Sequence, residues 1–200
     1  VMTDFAGWQM PLRYDSELAE HRAVRTAAGL FDLSHMGEIE VVGSQAAAAL
    51  DYALTGTLST VAVGRAKYSL LCAPKGTVLD DLVVYRLAED RFLVDVNAAN
   101  TAADLAELTA RAEGFDATVT DRSAETALVA VQGPRSAEIV RGLVPQTQAA
   151  RVVGLKYYAA APASVAGHDV LLARTGYTGE DGFELYVQAA QAPGLWRELL

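Results

Sequence analysis

"KYSLLCAPKGTVLDDLVVYRLAEDRFLVDVNAAN", residues 67–100, decides the fold class. It holds three runs rich in Val, Leu, Tyr and Phe, at residues 67–73, 78–87 and 91–97. Such residues suit a pleated, half-buried surface, so each run reads as a strand. The links between the runs are the turn at Pro74-Lys75-Gly76 and the triplet Ala88-Glu89-Asp90. Links this short close hairpins; a parallel pair needs a crossover of a dozen residues or so. The sheet built from this stretch is therefore antiparallel.

Working outward, helices and strands are interspersed. Ser16 to Ala28 reads as a helix with Ser16 as N-cap and Gly29 as its stop. A second helix opens at Ser44 and closes at Gly56; a third runs from about Ala98 to Ala112, with Asn97 placed to cap it. A fourth runs through Val144, with Pro134 in its first turn. Strands are expected at 38–42, 117–121, 127–132, 164–165, 170–175 and 183–187, before a final helix. The result is an α+β fold of largely antiparallel sheets with packed helices, and a β-α-β-β-α-β unit fits the middle of the chain.

Of the 200 residues, 52% are hydrophobic and 20% charged, a globular composition. No apolar run approaches the length of a membrane span. The net charge of −9 argues against duplex nucleic acid and anionic membranes as partners, but not against a small anion held by local cations. Cys72 is the only cysteine, which fits a reducing, cytoplasmic setting. The opening residues VMTDFAGWQM lack the basic start and apolar block of a secretory leader. The chain stops at GLWRELL, within an amphipathic pattern, and reads as a piece of a longer polypeptide.

Asp80 and Asp81 head the strand 78–87 and raise a question, because a carboxylate is costly to bury. Side chains alternate across a strand, so the two must point opposite ways. One file is Val78, Asp80, Leu82, Val84 and Arg86; the other is Leu79, Asp81, Val83, Tyr85 and Leu87. One carboxylate can meet a cavity while the other serves the turn, and the pattern does not say which. GYTGEDG, residues 176–182, is either a flexible hairpin or a loop whose glycines admit a flat ligand, with Glu180 accepting its N–H donors. Ser34 and His35 are adjacent, so on a strand they face apart and do not form a catalytic pair. His21, His35 and His168 show no metal-ligand spacing with one another or with Cys72, and no metal site is expected. FAGWQMPLRY, residues 5–14, reads as core or interface packing.

Taken together, DFAGWQMP, EHRAVRTAAGLFDLSHMG, GRAKYSLL, GTVLDDLVVYRL, VNAAN, VQGP and GYTGEDGFEL occur in an order that resembles the T-proteins of the glycine cleavage system. These are tetrahydrofolate-dependent aminomethyltransferases, and the similarity covers nearly the whole chain. The resemblance implies transfer of a methylene carbon from the aminomethyl-dihydrolipoyl arm of H-protein to tetrahydrofolate. Ammonia and 5,10-methylenetetrahydrofolate are the products, and no metal takes part. It implies two intertwined folate-binding subdomains, one of them ferredoxin-like, with the C-terminal barrel domain lying outside this chain. The first subdomain would comprise residues 1–50 and 151–200, and the ferredoxin-like one roughly 51–150. By position the resemblance assigns the catalytic carboxylate to Asp80, with Asp81 as its turn or solvent partner. It assigns folate contacts to Tyr68, Asp80, Asn97, Tyr177 and Glu180. Related folate-domain proteins are the alternatives: portions of sarcosine or dimethylglycine dehydrogenases, folate-dependent demethylases, or non-catalytic folate binders. Asp95 stands where an apolar residue is commoner in the family.

Overall fold

A computed structural model describes residues 1–200. In chain order, strands β1 (Met2–Phe5) and β2 (Trp8–Pro11) precede helix α1 (Glu17–Thr26) and strands β3 (Gly29–Asp32) and β4 (Gly37–Val42). Helix α2 (Ala46–Ala53) is followed by β5 (Ala66–Cys72), β6 (Val78–Ala88) and β7 (Arg91–Val96). Then come α3 (Thr101–Ala112), β8 (Thr118–Asp121), β9 (Thr126–Gln132), α4 (Ser136–Leu143) and α5 (Gln146–Val153). Strands β10 (Ala160–Val165), β11 (His168–Ala173) and β12 (Gly182–Gln188) lead to α6 (Ala192–Leu199). No helix is long and apolar enough to cross a membrane.

The chain forms two compact units. One holds residues 36–126 and 158–160; the other holds 1–35, 127–157 and 161–200. Boundaries near 50 and 150 would cut α2 and α5. The observed ones fall where β3 gives way to β4, and at the start of β9.

In the unit of residues 36–126, the sheet order is β5-β6-β7-β4-β8. The pairs β5–β6, β6–β7, β4–β7 and β4–β8 are all antiparallel. Leaving out the edge strand β5, the path β4-α2-β6-β7-α3-β8 is the β-α-β-β-α-β arrangement. Period-two alternation divides the sheet. Ile39, Val41, Leu71, Leu82, Val84, Phe92, Val94 and Val96 pack with Ala46, Leu50 and Ala53 of α2 and Leu108 of α3 in one core cluster. Tyr68, Asp81, Val83, Tyr85, Asp95 and Glu38 lie in the other files, away from that core.

In the other unit the sheet order is β10-β11-β12-β9-β3. Its core joins Ala127 and Val131 of β9 and Phe183, Leu185 and Val187 of β12 to Val140 of α4, Ala149 and Val152 of α5 and Leu195 of α6. Of the two roles expected for residues 5–14, core or interface packing, the core role is not met. These residues belong to an exposed hairpin in which Thr3 pairs Met10 and Asp4 pairs Gln9; Phe5 and Trp8 are about half exposed. Ala6 and Gly7 take positive φ there, the geometry of a tight two-residue turn, so the aromatic run folds back on itself.

Candidate functional site

The paired aspartates of β6 separate as alternation requires. Asp80 shares its file with Leu82 and Val84, beneath the helices, and is 4% exposed. Its carboxylate accepts hydrogen bonds from the Asn97 backbone N–H at 3.2 Å, Asn97 Nδ2 at 2.9 Å and Asn100 Nδ2 at 2.8 Å. A further hydrogen bond joins it to Asp104. Burial alone pushes Asp80 up, but these bonds outweigh it and hold the carboxyl below its ordinary value.

Asp81 turns to the other face. It is half-buried, and its Oδ2 accepts the Tyr68 hydroxyl at 3.0 Å. Tyr68 is 45% exposed on the edge strand β5, and the bond to Asp81 raises its phenol above its ordinary value. Asn97 Nδ2 lies 3.0 Å from the Asp81 carbonyl oxygen and 3.4 Å from its Oδ1, so one amide touches both aspartates. This bears on two expectations. Tyr68 shares its sheet face with Asp81, and Asp80 lies on the opposite face. Asn97 does not cap α3; Asn100 stands at that position, and the Asn97 amide is spent on Asp80 and Asp81. A residue needed between two strand ends is lost to the helix.

The second locus lies in the other unit, around the loop between β11 and β12. A cavity of about 950 Å³ is lined by Trp8, Met10, Phe31, Trp196 and Tyr177 among others. Tyr177 is 72% exposed. Glu180 is engaged with Arg25, at 3.0 Å, and Asp181 forms a two-pronged pair with Arg174, at 2.8 and 2.7 Å. The loop is clamped by Gln132, 2% exposed, which donates to Thr175 O at 3.0 Å and accepts from Thr178 Oγ1 at 2.8 Å. A Cβ on Gly176 or Gly182 would stand 2.2 Å from the Gln132 amide. Those two glycines make room for a buried side chain of the protein itself. Ser34 and His35 are not a catalytic pair: the Ser34 hydroxyl meets the Leu128 backbone, while His35 stacks edge-on against Phe5. Burial holds the His35 imidazole below its ordinary value, against the raising effect of Asp32.

Glu184 was not singled out by its sequence, yet it is 4% exposed and accepts the Thr175 hydroxyl. Its signal was legible: one carboxylate inside the otherwise apolar strand FELYV.

The fold is α+β with antiparallel sheets, and its polar cluster sets a carboxylate–tyrosine pair against an amide network. The chain belongs to the GCVT N-terminal domain family, whose model matches residues 1–200. It is 58% identical over 199 residues to an aminomethyltransferase of Streptomyces avermitilis, covering 100% of this chain and 52% of that protein. It is 57% identical over 202 residues to an aminomethyltransferase of Cutibacterium acnes, covering 99% and 54%. The chain thus spans about half the length of the curated relatives it matches. Among solved structures it superposes on the glycine cleavage system aminomethyltransferase T of Bartonella henselae with a TM-score of 0.89 and 39% identity. That match covers 100% of this chain and 53% of the other. A heterotetrameric sarcosine oxidase of Corynebacterium sp. U-96 shares the fold, with a TM-score of 0.62 at 21% identity over 91% of this chain and 88% of the other.

Proposed function

We propose that this chain belongs to an aminomethyltransferase of glycine cleavage that binds tetrahydrofolate as co-substrate. The methylene carbon would come from the aminomethyl-dihydrolipoyl arm of H-protein, with ammonia released and 5,10-methylenetetrahydrofolate formed. We place the reaction in the cytoplasm, in keeping with the single cysteine. Family membership and the named relatives support the class of reaction.

The observation that carries the site is the Tyr68–Asp81 pair, backed by Asn97. As a folate nitrogen attacks the methylene carbon, positive charge develops on it. A carboxylate already fixed in place stabilises that charge and can take up the proton released. We assign this role to Asp81, because the Asp80 carboxylate is saturated by Asn97, Asn100 and Asp104. Asp80 then holds Asn97, and through it Asp81. In the other unit the resemblance points to Tyr177 and Glu180. Tyr177 is accessible there, Glu180 is paired with Arg25, and Glu184, which accepts the Thr175 hydroxyl, is a second carboxylate of the same unit.

The test is Asp81→Asn against Asp80→Asn, assayed for tetrahydrofolate binding by this chain. The same changes at matching positions of the Streptomyces avermitilis relative would be assayed for ammonia release from aminomethylated H-protein. Asp81→Asn is expected to lower turnover by roughly two to four orders of magnitude without unfolding the chain. Undiminished turnover in Asp81→Asn would remove the assignment. Ammonia release that ignores H-protein would remove the glycine-cleavage reaction.

A further inference from the structure

We propose that Asp104 is a positioning residue that carries a proton at neutral pH and, through Asp80 and Asn97, sets the orientation of Asp81. This rests on the assignment of Asp81 as the ligand-facing carboxylate.

Two carboxyl groups hydrogen-bond to each other only with a proton between them, as in carboxyl dyads that share one proton. The question is which of the two holds it. Asp80 already receives three N–H donors, from the Asn97 backbone, Asn97 Nδ2 and Asn100 Nδ2, and so is served as an anion. Asp104 is 1% exposed and has one oxygen buried without a partner. An ionised carboxylate in that position would be uncompensated; a neutral acid donating to Asp80 is not. The surrounding charge agrees. Burial first, then the bond to Asp80 and the negative charges of Asp80 and Glu107, push Asp104 up to about 8.

No cation offsets this. Glu107 on the same helix is paired with Arg111 at 2.6 Å. From α2, Asp51 is taken up by the backbone N–H groups of Leu58 and Ser59. From β8, Asp121 is bound to Ser123. The core-facing residues of β7, Phe92, Val94 and Val96, are apolar.

The consequence passes along a short chain of contacts. Asp80 fixes the Asn97 amide, and the same Nδ2 reaches the Asp81 carbonyl and carboxylate at 3.0 and 3.4 Å. Loss of the Asp104 proton places a second negative charge against Asp80. The pair must then separate or draw in a cation, and the hold on Asn97 is released.

The experiment measures tetrahydrofolate affinity of the whole chain between about pH 6 and pH 9, with infrared spectra in the region of protonated carboxyl groups. Asp104→Asn keeps a donor to Asp80 but cannot ionise. It should keep the neutral-pH affinity, lose one protonated-carboxyl band, and abolish a roughly tenfold alkaline fall seen in the unaltered chain. Asp104→Ala, which leaves Asp80 short of a donor, should bind roughly tenfold more weakly at neutral pH. Identical pH profiles for the unaltered chain and Asp104→Asn would overturn the proposal, as would protonated-carboxyl absorption that the substitution leaves undiminished. If Asp104→Ala does not fold, the Asn variant and its band decide alone. Failure of the underlying assignment looks different: turnover would then be undiminished by Asp81→Asn at the matching position of the Streptomyces avermitilis relative, while the Asp104 band is still lost in Asp104→Asn.

Discussion

Two adjacent aspartates on one strand have opposite fates, and a side chain's direction, rather than its type, decides which. Asp80 is drawn beneath α3, where amides are waiting; Asp81 meets Tyr68. Glu38 shows the cost of the same geometry without partners. It is fully buried, neither carboxylate oxygen has a hydrogen bond, and it stands directly opposite Asp95 in the β4–β7 register. Burial, then the charges of Asp95 and Asp121, push it up to about 9. A group raised in the folded state stabilises fully only below its unfolded value and loses that contribution as pH rises through the folded one. Glu38 therefore erodes stability progressively from about pH 4 to pH 9. Glu38→Gln, neutral in both states, is expected to flatten that slope and to gain up to about 3 kcal/mol near neutral pH. Urea unfolding at acid and alkaline pH measures it; parallel slopes for the two proteins would refute it.

At the scale of the element, the loop between β11 and β12 is shaped from within. Gly176 has φ of +153° and faces the Gln132 side chain, so any Cβ there meets a buried, hydrogen-bonded amide. Gly176→Ala is expected to cost roughly 1–3 kcal/mol from strain, and more if the clamp from Gln132 to Thr178 breaks. Gly142 lies within α4 on ordinary helical backbone, and a methyl group added there would meet nothing within 4 Å. Gly142→Ala should therefore stabilise by about 0.5–1 kcal/mol. Thermal melts of the pair give opposite signs if this holds, and equal shifts would contradict it. Element types were legible in the sequence because their periods are local. Ser16 caps α1 as expected, its hydroxyl accepting from the Ala19 N–H at 3.4 Å. Strands β1, β2 and β3 were not legible: four residues each, the first two exposed, they lack the buried alternation that marks a strand.

For the whole molecule, the two units differ in how their sequence is gathered. The core of residues 36–126 comes from one continuous stretch, Ile39 to Leu108. The other sheet needs β3 from before that stretch and β9 to β12 from after it. A fragment of residues 36–126 is therefore expected to fold alone and unfold cooperatively, while residues 127–200 without β3 and α1 should not. Circular dichroism with urea titration decides, and a disordered 36–126 fragment would contradict the division.

Local chemistry in the sequence was enough to set the antiparallel α+β class, most of the helices, the acidic surface and the family motifs, because turn residues and hydrophobic periods act over a few neighbours. It also showed that Asp80 and Asp81 must face apart. Which of them met the helices was decided by the tertiary structure alone. That choice depends on the register of β6 against β5 and β7 and on Asn100 and Asp104 arriving some twenty residues later, at and within α3. Contacts so distant along the chain leave no periodic trace in the residues that make them.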